Sequence, residues 1–198
     1  HGAEFNLGIH KYNGDNYSPR GHKYIREFNC DGVPKTIYRV GGVVLSKEIM
    51  FSSKENRLMI RYTLLDAHSP TTLRFKPFLA FRNISKLTKE NDRVDRSYRD
   101  VENGISTCMY FGYPELFMQF NKKPEFIYHP DWYKGIEYLQ DQQQGDTYQE
   151  DLYVPGYFEM SIAKGEEIIF SAGDILVDTN TLANEFDYEL HKRTPRSN

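Results

Sequence analysis

Trp132, Tyr133, Tyr138, Glu150 and Asp151 fall within one stretch, residues 131–158, that concentrates aromatics, carboxylates and turn formers. Trp132 is the only tryptophan in the chain, and Tyr148, Tyr153 and Tyr157 share the segment with it. Flat rings beside hydrogen-bonding carboxylates suit sugars, which offer C–H faces and hydroxyl edges. The same composition suits an interface between two domains. Trp132 and Tyr133 therefore either pack against a sheet or partner domain, or form a rim that holds a glycan. Glu150 and Asp151 are adjacent, and neighbours on an extended strand point to opposite faces. They cannot easily converge on one bond, so neither is expected to be catalytic. Asp151, shortly before a Pro155-Gly156 turn signal, suits acceptance of backbone N–H bonds that fix a loop. Arg82 closes an alternating segment where a long loop begins, a frequent place for binding residues. It either clamps Glu150 or Asp151 in a bidentate pair or is a solvated charge.

Other chemistries lack support. The histidines at 10, 22, 68, 129 and 191 form no closely spaced pair, and no cysteine is near enough to complete a zinc site. The acidic residues Glu90, Asp92, Asp95 and Asp100 lack calcium-loop spacing and its glycine. Neither a phosphate-binding glycine loop nor a serine nucleophile elbow occurs. No metal and no organic cofactor are expected.

The elements that must position these residues read mainly as strands. In residues 56–65, Leu58, Ile60, Tyr62 and Leu64 fall on one face, with Arg61 and Thr63 opposite. Residues 71–82 repeat this with Leu73, Phe75, Leu79 and Phe81 against Arg74, Lys76 and Arg82. That period of two marks a half-buried strand, and Pro77 predicts an edge or a bulge. Further strands are predicted at 22–29, 36–40, 43–53, 104–111, 116–121, 126–128, 158–163 and 166–172. The short polar links at 54–56 and 66–70 suit a meander, and Lys164-Gly165 suits a tight hairpin. Two segments break the rhythm: the charged run 83–103, read as a solvated loop or a lid, and the aromatic stretch 131–157. Leu182, Phe186 and Leu190 then recur every four residues, which predicts an amphipathic helix. The tail from 191 to 198 has basic, proline-containing linker composition.

Composition sets further bounds. A chain of 198 residues with 15% aromatics can bury a sizeable, sheet-rich core. A net charge of −3 with dispersed Lys and Arg points to neither nucleic acid nor an anionic membrane. No apolar run approaches the ~20 residues of a membrane helix. Cys30 and Cys108 are far apart, which favours a reducing, cytoplasmic setting.

Several short motifs in register carry a resemblance. They are YIREF at 24–28, YRVGGV at 38–43, residues 44–51, NRLMIRYTLLD at 56–66 and LRFKPFLAFRNISKLT at 73–88. They continue with Asp131-Trp132-Tyr133, Glu137-Tyr138 and YQEDLYVPGYF at 148–158. In order and spacing, over roughly residues 6 to 172, the chain resembles the N-terminal domain of bacterial and archaeal glycogen debranching enzymes of the amylo-α-1,6-glucosidase type. The resemblance implies an all-β, supersandwich-like fold of large antiparallel sheets over residues 1–174. Residues 175–198 would form a helix and linker leading to an (α/α)6 catalytic domain absent from this chain. Family members usually begin earlier, with runs like Asn-Gly-Leu-Gly-Gly and Arg-Tyr-His-Gly. Neither occurs here, so the first strands of the usual domain are expected to be missing.

The function so implied is a non-catalytic module that braces the helical domain and lends a rim to an α-glucan cleft. Glycoside hydrolysis needs two carboxyl groups about 5 to 9.5 Å apart, and the resemblance places them in the helical domain. Expected partners are that domain and an α-glucan such as glycogen or a maltooligosaccharide. An exposed sheet edge would also let two copies of the isolated segment pair. A free-standing carbohydrate-binding module and a purely structural interdomain module are the competing readings.

Overall fold

A computed structural model describes residues 2–14 and 16–194. Two antiparallel sheets face one another. The larger contains β3 (Ile25–Asn29), β4 (Lys35–Val40), β5 (Val43–Phe51), β6 (Arg57–Asp66), β8 (Arg99–Val101), β9 (Gly104–Thr107), β10 (Leu116–Phe120) and β13 (Glu167–Gly173). The smaller contains β1 (His10–Tyr12), β2 (Asn16–Ser18), β7 (Thr71–Phe75), β11 (Glu125–Glu137) and β12 (Gln149–Ile162). Their orders are β3-β4-β5-β6-β13-β10-β9-β8 and β2-β1-β11-β12-β7. The expected all-β sandwich is therefore the architecture.

The alternating strands meet between the sheets. Leu64, Ile105, Met118, Phe120 and Ile168 from the larger sheet cluster with Trp132, Tyr153, Phe158, Met160 and Ile162 from the smaller. Phe120 is central, with ring centroids 5.2 Å from Phe75, 5.0 Å from Phe158 and 5.1 Å from Phe170. Pro77 follows the edge strand β7, where a missing N–H costs no ladder bond.

A second apolar cluster lies on the other face of the larger sheet. Helix α2 (Leu182–Arg193) buries Leu182 and Phe186 against Val33, Met50, Met59 and Ile169. Consecutive residues of β13 thus serve different cores, Ile168 inside the sandwich and Ile169 under the helix. Polar contacts fix the helix. Arg57 pairs with Glu185, and Arg61 pairs with Asp187 at 2.8 Å while lying over the Phe186 ring at 4.4 Å. The helical spacing of Leu182, Phe186 and Leu190 is therefore a docking stripe of this domain. The basic tail at 195–198 lies outside the described residues.

Glu189 on this helix is buried and accepts bonds from the Ser53 hydroxyl at 2.6 Å and the Ser53 N–H at 3.2 Å. Burial pushes its carboxyl up, but the Ser53 bonds together with the charges of Arg193 and Lys192 hold it below the usual value of 4.5. Glu166 behaves alike, burial raising it while Lys122 and the Ala163 N–H together bring it below its usual value. A depressed carboxylate stabilises the fold above the unfolded value and loses that contribution as pH falls through the native one. Thermal midpoints should hold from pH 7 to about 5 and fall as pH drops below about 4.5. A midpoint unchanged down to pH 3 would contradict this.

Four expectations need correction. Residues 131–157 are not an excursion: they form most of β11 and β12, which pair from Glu125↔Glu159 to Glu137↔Gln149 around the short helix α1 (Leu139–Gln144). Their polarity reflects an outer face and a buried ion cluster, not departure from the sheet. Lys164-Gly165 does not close a hairpin, because β12 and β13 belong to different sheets. The link crosses between them, with the Gly165 N–H donating to Leu64 O at 2.7 Å. Residues 67–70 likewise cross from β6 to β7 instead of continuing a meander. Pro155-Gly156 is no turn, since both residues lie inside β12 beside a bulge between Tyr128 and Asp131. Gly156 has φ +149°, and a Cβ there would meet Ile127 O at 2.1 Å. Only glycine lets the two strands approach so closely.

Candidate functional site

Pro155-Gly156 and the bulge bend β11 and β12 where the long segment 76–98 crosses them. Leu79 joins Tyr153 through an isolated bridge, and Val94 enters the core. Between these anchors lie Arg82, Glu150, Asp151 and Tyr138, brought together from positions far apart in sequence.

Glu150 has a fully buried side chain. Its carboxylate accepts Arg82 Nε at 2.5 Å and Nη2 at 3.0 Å in a bidentate pair. The Tyr138 hydroxyl donates to Oε2 at 2.7 Å, and the Thr88 N–H to Oε1 at 3.2 Å. Four donors therefore occupy the two oxygens. Burial, followed by the bond to the Glu150 carboxylate, pushes the Tyr138 hydroxyl up to about 12. The Arg82 guanidinium also donates to the carbonyls of Ile84 at 3.0 Å and Asn83 at 3.3 Å. The clamp thus sets the path of the loop after residue 82.

Asp151 points the other way, as strand alternation requires. Its carboxylate accepts the Gly135 N–H and the Glu90 N–H, both at 2.9 Å, while its own N–H donates to Thr88 O at 2.8 Å. The two neighbouring carboxylates fasten the same loop from opposite sides of β12. Replacing Asp151 by asparagine should cost about 1.5–3 kcal/mol, because one N–H would then face an NH2 group. Urea unfolding measures this, and a cost below about 0.5 kcal/mol would contradict the assignment.

The two aromatics after Asp131 separate. Trp132 is 8% exposed and sits in the core, its ring centroid 5.5 Å from Tyr153. An indole so placed packs against the sheet and presents little of its face to solvent in this chain. Tyr133 faces the opposite way and packs, tilted by 34°, against Phe78 with centroids 4.5 Å apart, and Phe78 in turn stacks on His10 at 4.6 Å. The Lys76 ammonium donates to the Tyr133 hydroxyl at 2.8 Å.

A further pair escaped the sequence reading. Tyr98, within the charged run, stacks on Tyr128 of β11 with centroids 5.4 Å apart and planes at 30°. No periodicity marks Tyr98, and only its position beside arginines in a polar segment signalled more than a solvated loop.

Compared with known proteins, residues 1–169 match a family model described as glycogen debranching enzyme N terminal. No curated protein matches the chain. Among solved structures the chain is similar to a bacterial glucoamylase complexed with acarbose, at 13% identity and a TM-score of 0.42. That similarity covers 85% of this chain and 28% of the glucoamylase chain.

Proposed function

The chain belongs to the glycogen debranching enzyme N-terminal family, and from that premise we propose that it is a non-catalytic module of a glycoside hydrolase. It braces a helical catalytic domain and contributes part of the rim of an α-glucan cleft. The parent reaction is hydrolysis of α-1,6 branch linkages, with no metal or organic cofactor.

One observation carries the non-catalytic reading: the best-placed carboxylates are fully engaged in holding a loop. A general acid or nucleophile must reach the scissile bond. Glu150 has no exposed surface and four donors on it, and Asp151 accepts two backbone N–H groups. The bracing reading draws on the family, whose model covers residues 1–169. The rim reading draws on the half-buried aromatic cluster of Tyr133, Phe78 and His10.

The reading extends to setting and assembly. Cys30 and Cys108 are free thiols, in keeping with a cytoplasmic location. No helix among the described residues is long and apolar enough to cross a membrane. The edge strand β3 carries exposed Ile25 and Phe28, and is the edge through which two copies of the segment would pair. Light scattering showing a strict monomer at high concentration would remove that pairing.

The experiment introduces Glu150→Gln and Asp151→Asn into the polypeptide that includes the helical domain. Release of glucose from a branched α-1,6 maltooligosaccharide is then measured per folded molecule. Kcat should stay within about tenfold of the parent, whereas a loss of about a thousandfold or more would assign catalysis to these carboxylates.

A further inference from the structure

The larger sheet extends past the smaller one. The smaller sheet covers β6, β13 and β10, and its edge strand β7 sets Phe75 against Tyr62 of β6 with ring centroids 4.9 Å apart. Beyond β6 the larger sheet continues through β5 and β4 to its own edge strand, β3. Residues 25–28 of that edge are all exposed, with Phe28 at 63% and Ile25 at 38%. One flank of β3 is bonded to β4, and the backbone groups of its other flank meet no described strand.

A bulge arranges the side chains of this edge. In a regular strand, residues 25 and 28 would face opposite ways. Here Ile25 pairs with Tyr38 and Phe28 with Thr36, with a register shift between residues 25 and 27. Tyr38 and Thr36 are two apart on β4 and share a face, so Ile25 and Phe28 share it too. Between them stand Arg26 and Glu27, both exposed and in no ion pair with another described residue. Charges and bulges on an edge strand commonly keep other strands away. In β3 the two charges are adjacent and opposite in sign, which leaves one arrangement open.

We propose that β3 pairs antiparallel with β3 of a second copy about a two-fold axis between Arg26 and Glu27, joining two larger sheets edge to edge. In this register Arg26 lies across from Glu27 of the second copy, and Glu27 from its Arg26. Ile25 meets Phe28 of the second copy on the face that the bulge gives them in common. A shift of one residue in one direction sets Arg26 against Arg26, and in the other Glu27 against Glu27. Like charges directly opposite are destabilising, and opposite charges and apolar pairs are favourable, so the strand complements itself in a single register. The two-fold axis is perpendicular to the sheet, which puts both α2 helices on the same side of the joined sheet. This register rests on the β3 pairing proposed above and adds to it the contacts that select the partner.

Sedimentation of the chain at up to about 1 mM reads the association, and hydrogen exchange locates it. A dimer is expected, with slowed exchange at the β3 amides. Arg26→Glu alone and Glu27→Arg alone each create two like-charge pairs and should weaken association at least about tenfold. The exchanged variant, Arg26→Glu with Glu27→Arg, restores opposite charges and should return to within about threefold of the parent affinity. The two single variants mixed together should form a heterodimer, since one carries only negative and the other only positive charge at 26 and 27. Both residues are exposed, so circular dichroism and thermal midpoints should match the parent in every variant. A dimer indifferent to the single substitutions, or one that the exchange does not restore, would overturn this register and leave pairing through another contact standing. A strict monomer would overturn the register and the pairing together.

Discussion

Replacing Glu150 by alanine should destabilise the domain by about 3–5 kcal/mol, the cost of leaving one partner of a buried ion pair uncompensated. Arg82 would lose both its bidentate bonds, and Tyr138 and the Thr88 N–H would lose their acceptor. Arg82 keeps 19% exposure, so some water can reach it, which places the cost toward the lower end of that range. The double variant Arg82→Met with Glu150→Leu should recover the part of the loss due to the uncompensated guanidinium, while the Tyr138 hydroxyl and the Thr88 N–H stay without their acceptor. The two substitutions together then separate charge burial from packing. Urea unfolding of the single and double variants makes the comparison. A single-variant cost under about 1 kcal/mol would show that the clamp is not a buried pair in energetic terms.

The second large effect concerns α2. Phe186→Ala should cost about 3–5 kcal/mol, since a fully buried ring would leave a cavity between the helix and the larger sheet. Arg61 would also lose the ring over which its guanidinium lies. Ending the chain at residue 174 should do more. It would uncover Met50, Met59 and Ile169 together and leave Arg57 and Arg61 without Glu185 and Asp187. Such a truncated chain should bind an apolar dye and aggregate on warming. A truncation that unfolds at the same temperature as the intact chain would mean the helix only rests on the sheet.

The legibility of the fold in the sequence followed from the reach of each interaction. Strands such as β6 alternate because one face meets the core, and that pattern is local. The second face of the same strand was equally informative in retrospect: Met59 and Arg61 alternate out of phase with Tyr62 and Leu64, because α2 covers them. The stretch 131–157 was misread for a different reason. Its carboxylates look solvent-facing in sequence, but their partners Arg82, Thr88 and Glu90 lie 61 to 68 residues away. Composition cannot reveal that Glu150 is neutralised by a residue from another element. Lys164-Gly165 resembled a hairpin because two residues can equally connect adjacent strands or facing sheets.

The site was legible to the same degree. Strand alternation correctly opposed Glu150 to Asp151, and it also sent Trp132 inward and Tyr133 outward. Which of those two faces is the interior depends on the rest of the sheet, so the sequence left that open. Tyr98 sits in a run of charges with no period of its own, and only folding brings it onto Tyr128.

The most direct measurement assays glucose release from a branched α-1,6 maltooligosaccharide by the chain alone, by the helical domain alone, and by both mixed as separate polypeptides. A module that braces a catalytic neighbour predicts no release by this chain, weak release by the helical domain, and a strong increase on mixing. Release by the chain alone, abolished by Glu150→Gln or Asp151→Asn, would contradict that account and place the catalytic carboxylates in this domain.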